Sequence, residues 1–162
     1  MRKNTPSSEV TFRPLAPGEE TALATLWFSS WASIGLEVPL VTEAELCERV
    51  PRELTGRWGV TVAERGGELL GFLAIAPEEC RLDQLFVAPN EKGLGIGTVL
   101  FRVAIELLPK GFWLRTHSEN GRARAFYESR GMVLKRLEMG TAYETAVYTY
   151  GDLHSSIQSR LV

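Results

Sequence analysis

The chain has 162 residues, of which 44% are apolar, and this suits one domain with a substantial core. The formal net charge of −2 provides no bulk attraction to nucleic acid or to an anionic membrane surface, so we expect neither partner. Two widely spaced cysteines, no apolar run of roughly 18 residues and no apolar signal core predict a cytoplasmic protein without a disulfide scaffold, a metal or a membrane span.

The first third of the chain predicts one strand and two helices. Val10–Leu15 is a short strand candidate that Pro14 stops. The stretch from Pro17 to Gly35 has acidic residues at its start and apolar residues at i, i+3 and i+4 spacing, as in a helix. After a loop, Thr42 and Glu45 have the spacing of a capping box, which predicts the start of a second helix.

The rest of the chain predicts strands interrupted by two helices. The predicted strands are 58–64, 68–76, 80–87, 111–117, 132–139 and 141–150, and the helices are 98–108 and 119–131. This order mixes hairpins with crossovers and predicts an α/β (α+β, three-layer) domain. Its sheet would be mixed, mostly antiparallel and of about seven strands, with helices on both faces. We expect the domain to span 10–150, with a flexible segment at 1–9 and a polar tail at 151–162.

The stretch "EKGLGIGTVLF" (Glu91–Phe101) places Gly93, Gly95 and Gly97 at alternate positions just before a predicted helix. One interpretation is a plain strand-to-helix turn. The other is an anion cradle, in which the first helix amides meet a phosphate that side chains would obstruct. A Walker loop is excluded because Gly97 is followed by Thr-Val, and the spacing fails the G-x-G-x-x-G/A dinucleotide fingerprint.

The sequence resembles the GCN5-related N-acetyltransferase superfamily at two places. "KGLGIG", Lys92–Gly97, is similar to its signature of Arg or Gln, two residues, Gly, any residue, and Gly or Ala, with a lysine at the first position. "ENGRARAFYESRGM", Glu119–Met132, is similar to its second motif, and "LDQLFVAPN" to its fourth strand. The resemblance is close over 82–132, and the order of elements matches over most of the chain.

This resemblance implies acetyl-coenzyme A as co-substrate, no metal, and a gap where the fourth and fifth strands splay apart. The implied cofactor-binding residues are Leu85, Phe86, Val87, Lys92, Gly93, Leu94, Gly95, Ile96, Gly97, Thr98, Asn120, Ala123, Phe126 and Tyr127. The amides from about Leu94 to Thr98 would bind the pyrophosphate. An N–H at 85–87 would polarise the acetyl carbonyl, and Asn120 would bind the pantetheine arm, cap its helix, or do both.

Tyr127 is the candidate catalytic acid, because the matching tyrosine of the family stands near the coenzyme sulfur and a phenol is protonated at neutral pH. Asp83 is the candidate base on the fourth strand. Strand alternation places it on the opposite face from Gln84. His117 lies near the same place at the end of the fifth strand. Transfer of the amine proton to water is the alternative to any dedicated base.

Phe28 and Trp31 are predicted to bind the acceptor, because the family builds part of its acceptor pocket from this region. The expected function is transfer of an acetyl group to a primary amine of a small molecule or peptide, by direct attack in a ternary complex. The alternative is a non-catalytic acyl-coenzyme A sensor or interaction module. The acceptor is not identified, and the assembly is left open, with a homodimer among the options.

Overall fold

The computed structural model describes residues 9–37 and 41–153. The strands are β1 (Thr11–Pro14), β2 (Gly59–Arg65), β3 (Glu68–Ala76), β4 (Arg81–Val87), β5 (Phe112–His117), β6 (Val133–Met139) and β7 (Glu144–Tyr150). The helices are α1 (Glu20–Ala32), α2 (Glu43–Gly56), α3 (Ile96–Leu107) and α4 (Gly121–Glu128). Apart from two short 3₁₀ turns, the order of elements in the described residues is the predicted one.

The strands form one sheet with the order β1-β2-β3-β4-β5-β7-β6. All neighbouring strands are antiparallel except β4 and β5, which are parallel. A parallel pair requires a crossover, and α3 supplies it. The predicted α/β class, with a mixed and mostly antiparallel seven-stranded sheet, is confirmed for the described residues.

Helices cover both faces of the sheet, each over its own apolar core. On one face, α1 and α2 pack through residues such as Leu23, Trp27 and Val50 against β2 and β3. On the other face, α3 and α4 pack through residues such as Leu100 and Tyr127 against β3, β5 and β7. The three-layer arrangement therefore follows from a sheet that is apolar on both sides.

The parallel strands β4 and β5 meet at one end and then diverge. Their paired register contains Arg81 opposite Trp113, and the amide of Trp113 donates to the carbonyl of Cys80 at 3.0 Å. The indole of Trp113 also donates to the carbonyl of Glu79 at 3.0 Å, which fixes this closed end. The predicted splay of the fourth and fifth strands is confirmed, and it leaves backbone groups on the β5 side of β4 without a strand partner.

One helix ends later than predicted, and two predicted segments lie outside the described residues. The capping box of Thr42 and Glu45 is present, but α2 continues past Pro51 to Gly56, because Leu54 packs against the same core as the earlier turns. Beyond β7, Leu153 is buried against Trp113. The predictions for 1–8 and 154–162 lie outside the described residues.

Gly71 of β3 allows α3 to lie close to the sheet. A Cβ at this position would stand 2.9 Å from the carbonyl oxygen of Phe86 and 3.2 Å from Cγ2 of Ile96, the first residue of α3. The first distance is shorter than real Cβ contacts allow, and its partner is backbone that cannot rotate away. This close approach sets the height of the α3 N-terminus above β4.

Replacing Gly71 by alanine should lower the free energy of unfolding by about 1–3 kcal/mol, because the added methyl overpacks this contact. Chemical denaturation measures the effect. Gly59→Ala is the matched control in β2, since its Cβ would meet Cγ1 of Ile75 at an ordinary 3.6 Å. Equal stability of the two variants would show that the close approach does not constrain the fold.

Candidate functional site

Two cavities adjoin the gap between β4 and β5. The larger has a volume of about 580 Å³ and extends toward the start of α3. The smaller has a volume of about 270 Å³ and extends along β5 toward His117. Both are lined by Ile34, Leu85, Phe86, Asn120, Ala123 and Tyr127. The two cavities therefore meet at the gap, where Tyr127 stands.

The larger cavity ends at the uncapped N-terminus of α3. The first hydrogen bond across this end runs from the amide of Val99 to the carbonyl of Gly95 at 3.1 Å, and no side chain caps the helix. The amides of Ile96, Gly97 and Thr98 precede that bond, and all three residues line the cavity. Free amides at the positive end of a helix dipole form a binding site for an anion.

The three glycines of the loop serve two different needs. Gly93 and Gly95 have φ of +82° and +85°, a conformation that side chains rarely adopt, and a Cβ on either would meet no atom within 4 Å. Gly97 has no such backbone requirement, but a Cβ there would lie 3.3 Å from the ring of Phe126. The first two glycines shape the loop, and the third lets α4 pack against α3.

Positive charge collects around the same cavity. Lys92, Arg122 and Arg130 line it, whereas the one acid among its lining residues, Glu91, is paired with Arg65 at 3.0 Å. Burial first, and then the charge of Arg122, hold the pKa of Lys92 below its usual range. An anion between these cations would relieve their repulsion, so the charge pattern agrees with the free helix amides.

Arg130 also joins the two helices that border the cavity. Its guanidinium donates to Oγ1 of Thr98 at 2.5 Å and lies 3.6 Å from the ring centroid of Phe126. Thr98 belongs to the first turn of α3, and Phe126 belongs to α4. The arginine therefore fixes the first turn of α3 relative to α4.

The side chain of Tyr127 is buried at the junction of the two cavities, where it is 7% exposed, and its hydroxyl has no partner among the described residues. Burial raises the pKa of the phenol above its usual range. The group at the junction of the cavities is therefore a protonated acid over the whole neutral range.

Asn120 is the N-cap of α4, since its Oδ1 accepts a hydrogen bond from the amide of Ala123 at 3.1 Å. This is one of the two roles considered from the sequence. The residue also lines both cavities, so capping places it beside the gap.

A buried phenol anchors α4 to the sheet. Tyr148 of β7 is fully buried, and its hydroxyl donates to Oε1 of Glu128 at 2.5 Å and accepts from Nε of Arg124 at 2.9 Å. Arg124 also donates to the carbonyl of Ser118 at 3.0 Å. These bonds join α4 to β7 and to the end of β5, and they hold Tyr127 at the gap.

The smaller cavity contains Asp83, but its carboxylate is already engaged. Nε1 of Trp58 donates to Oδ2 at 2.5 Å, and Arg57 approaches the same oxygen at 3.5 Å. Nε of Arg81 lies 3.1 Å from Oδ1. A carboxylate with three such neighbours is already neutralised, which argues against the base role predicted for Asp83.

A β-bulge explains why Asp83 does not alternate with Gln84 as predicted. Gln84 is opposite Ala74, but Leu82 is opposite Ile75, so Asp83 is the extra residue on β4. A bulge interrupts the two-residue alternation and bends its strand. The bend occurs just beyond the point where β4 leaves β5.

The structure brings most of the predicted site residues together. All fourteen predicted cofactor-binding residues except Leu94 line the larger cavity, and the side chain of Leu94 is 66% exposed. Trp31 lines the smaller cavity, and its role in binding the acceptor stays a prediction. Phe28 lines neither cavity and packs against the core under α1.

Sequence reasoning missed several residues of the larger cavity, namely Ser30, Ser33, Ile34, Glu91, Arg122 and Arg130. The two arginines could have been found, because Arg122, Phe126 and Arg130 are four residues apart and share one face of a helix. The serines carry no such signal, since their place depends on how α1 lies over β4.

Comparison with known proteins agrees with the fold and identifies the family. Residues 22–132 match the model of the acetyltransferase (GNAT) family, which is more than half of the chain. A curated relative from Mycobacterium tuberculosis, named a probable N-acetyltransferase, is 29% identical over 116 residues, 65% of this chain and 67% of the relative. The chain therefore belongs to the acetyltransferase (GNAT) family.

Solved structures of low identity share the fold. A GCN5-related N-acetyltransferase from Rhodopseudomonas palustris has a TM-score of 0.71 at 19% identity, covering 94% of this chain and 99% of that one. PaiA N-acetyltransferase from Thermoplasma acidophilum, in complex with coenzyme A, has a TM-score of 0.68 at 19% identity, covering 88% and 99%. YncA from Salmonella typhimurium, with its cofactor acetyl-CoA, has a TM-score of 0.68 at 15% identity, covering 91% and 97%.

Two further features concern the described residues alone. No helix in 9–37 or 41–153 is both long and apolar enough to cross a membrane. Within the same ranges, no group of three or more His, Cys, Asp and Glu side chains is arranged to hold a metal ion.

Replacing Tyr148 by phenylalanine should lower the free energy of unfolding by about 1–3 kcal/mol, because Arg124 and Glu128 lose a buried partner. Tyr150→Phe is the matched control, since the Tyr150 ring packs against Phe112 and its hydroxyl makes no hydrogen bond to a described residue. Chemical denaturation of both variants measures the difference. A Tyr148→Phe variant as stable as Tyr150→Phe would show that the anchor contributes nothing.

Proposed function

We propose that this protein transfers an acetyl group from acetyl-coenzyme A to a primary amine of a small molecule or peptide, by direct attack in a ternary complex. The observation that carries the proposal is the meeting of two cavities at the β4–β5 gap, with a protonated phenol at the junction. Two cavities allow both substrates to be bound at once, and this is what direct transfer requires.

The donor would occupy the larger cavity. Its pyrophosphate fits the free amides of Ile96, Gly97 and Thr98, with Lys92 and Arg122 adding positive charge. Acetyl-coenzyme A is the acetyl donor that membership of this family implies. The structures of PaiA and YncA hold coenzyme A and acetyl-CoA, respectively, which supports the same use of the cavity here.

The chemistry would take place in the gap. The amine nitrogen forms a bond to the carbonyl carbon of the thioester, and the carbon–sulfur bond breaks. A β4 amide at Leu85–Val87 that points away from β3 would stabilise negative charge on the carbonyl oxygen. The hydroxyl of Tyr127 gives its proton to the departing sulfur, and the phenol is reprotonated from solvent.

The nitrogen must lose one proton for the products to be a neutral amide and a thiol. We assign this proton to water, the alternative weighed for the sequence, because the carboxylate of Asp83 is engaged by Trp58, Arg57 and Arg81. The role of Asp83 in our proposal is to hold the start of β4 against β2.

A second hypothesis is a non-catalytic sensor of acyl-coenzyme A. Such a module would need the larger cavity but not the smaller one or an acid at the junction. Release of free thiol from acetyl-coenzyme A, measured with and without a panel of amines, separates the two. Cofactor binding without amine-dependent thiol release would support the sensor and contradict transfer.

Gly95→Ala should reduce the rise in melting temperature that coenzyme A produces, because a ligand that binds only the folded state stabilises it. The new methyl would strain the backbone at φ +85°, and this residue is the N-cap of α3 and lines the larger cavity. Differential scanning fluorimetry with added coenzyme A measures the rise.

Gly18→Ala is the control for this experiment. Gly18 has φ of +89° and open space around it, but it lines neither cavity. Both variants should lose about 1 kcal/mol of intrinsic stability, and only Gly95→Ala should lose the ligand response. An undiminished response in Gly95→Ala would contradict the anion cradle.

Tyr127→Phe should lower the single-turnover rate by about 10²–10⁴-fold while coenzyme A affinity changes little, as expected when a general acid is removed. Rapid-quench kinetics measure the rate, and this avoids a limit set by product release. Tyr150→Phe serves as the control for loss of a phenol elsewhere.

The pH dependence follows from the direction of the pKa shift. Because burial raises the pKa of Tyr127, its acid form is present below the ordinary phenol value of about 10 and is lost only above it. The wild-type rate should therefore show no loss from this group between pH 7 and about pH 10. If Tyr127→Phe kept the wild-type single-turnover rate, the hydroxyl would have no catalytic role and the ring would be structural.

A further inference from the structure

His117 lies at the open end of the β4–β5 gap, where its carbonyl accepts a hydrogen bond from the amide of Asn120 at 2.9 Å. It is the last residue of β5, is 7% exposed and lines the smaller cavity. Tyr143 stacks on its ring, with centroids 4.5 Å apart and an angle of 18° between the planes. One ring face is therefore covered, and the ring cannot turn without displacing Tyr143.

A backbone bond determines which ring nitrogen carries the proton. The amide of Glu119 donates to Nδ1 of His117 at 3.1 Å. A nitrogen that accepts a hydrogen bond has a free lone pair, so the proton of the neutral imidazole is on Nε2. In this state Nε2 is a hydrogen-bond donor and cannot act as a base.

Nε2 is open to the cavity. It has no hydrogen bond to any described residue. The buried side-chain nitrogens and oxygens of the described chain that lack a hydrogen bond are Nε of Arg81, which forms an ion pair with Asp83, and Nε of Arg130. Nε2 of His117 is not among them, so it is accessible, and the cavity is the space that this residue lines.

The other charged side chains that line the smaller cavity, Asp83 and Arg115, already form ion pairs with residues of the protein. Asp83 is engaged by Trp58 and two arginines, and Arg115 is paired with Glu138 at 2.7 Å. The His117 N–H is thus a directed donor with no partner in the described chain. Such a donor favours ligands that carry an acceptor oxygen, because a ligand without that oxygen leaves the N–H without a hydrogen bond.

We propose that His117 binds the acceptor through Nε2–H, and that the acceptors are small primary amines with a carbonyl or carboxylate oxygen near the amine. This inference rests on the proposed function, and it names the substrate class of the smaller cavity. The covering ring of Tyr143 and the Glu119 bond fix the direction of the donor, and the acceptor oxygen would bind beside His117 while the amine enters the gap.

Two substitutions, His117→Gln and His117→Asn, distinguish acceptor binding by Nε2–H from a purely structural role of His117. In His117→Gln, the amide nitrogen reaches the place of Nε2 and can donate into the cavity, but the Glu119 bond is lost. In His117→Asn, the amide oxygen reaches the place of Nδ1 and can accept from Glu119, but the cavity donor is lost. If His117 only held the backbone of Glu119, His117→Asn would retain more activity than His117→Gln.

The experiment compares kcat/KM for 3-aminopropanamide and n-butylamine, which have nearly the same length and differ in the carbonyl. Dividing each variant's value by the wild-type value for the same amine cancels the difference in intrinsic reactivity. With 3-aminopropanamide, we expect a loss of about tenfold or more in His117→Asn and a smaller loss in His117→Gln. With n-butylamine, the loss in His117→Asn should be clearly smaller than with the amide.

His117→Phe, which retains a ring to stack on Tyr143, provides a second variant without the donor and should resemble His117→Asn. The coenzyme A thermal shift of each variant checks that the fold and the donor site persist. Equal losses for the two amines, or a better tolerance of Asn than of Gln, would overturn the role of His117 and leave acetyl transfer standing. A wild-type protein that binds coenzyme A but acetylates no amine would overturn the proposed function itself.

Discussion

The divergence of β4 from β5 is the constraint on which the rest of the site depends. The two parallel strands share the pair of Arg81 and Trp113 and then separate. The closed end is held by the indole bond to Glu79 and by the guanidinium of Arg81, which lies 5.4 Å from the Trp113 ring centroid. A continuous ladder would have filled this space with backbone, whereas the open gap lets two cavities meet inside the sheet.

The two sides of the gap differ in their electrostatics. The larger cavity has free helix amides and the cation Lys92, whose pKa is lowered first by burial and then by the charge of Arg122, so its lining favours an anion. In the smaller cavity the acid and the arginine are already paired, and the lining includes aromatic side chains and the imidazole of His117. This asymmetry supports our proposal that the phosphate-bearing donor occupies the larger cavity and the amine the smaller one.

The protonation state of Tyr127 is determined by burial rather than by pairing with a charged group. Tyr127 lies between α4 and the sheet, where desolvation favours the neutral phenol. Its position depends on Tyr148, whose bonds to Arg124 and Glu128 hold α4 against β7. The packing that holds Tyr127 at the gap therefore also keeps it in the acid form that our proposed mechanism requires.

The sequence by itself determined the order of elements and the family. Glycines before an apolar run, a capping box at Thr42 and alternating strands are local signals, because they arise from backbone conformations and contacts within a few residues. Two motifs at a fixed separation then predicted the residues that line the larger cavity. The resemblance, rather than any local pattern, supplied the role of Tyr127.

The tertiary structure alone decided what depends on contacts between distant residues. The bulge at Asp83, its engagement by Trp58 and the burial of Phe28 follow from the way β2, β3 and the helices pack around β4. The orientation of the His117 donor requires both the Glu119 amide and the Tyr143 ring. The spacing of residues along the sequence does not predict such contacts, because the residues that make them are distant in sequence and become neighbours only in the folded sheet.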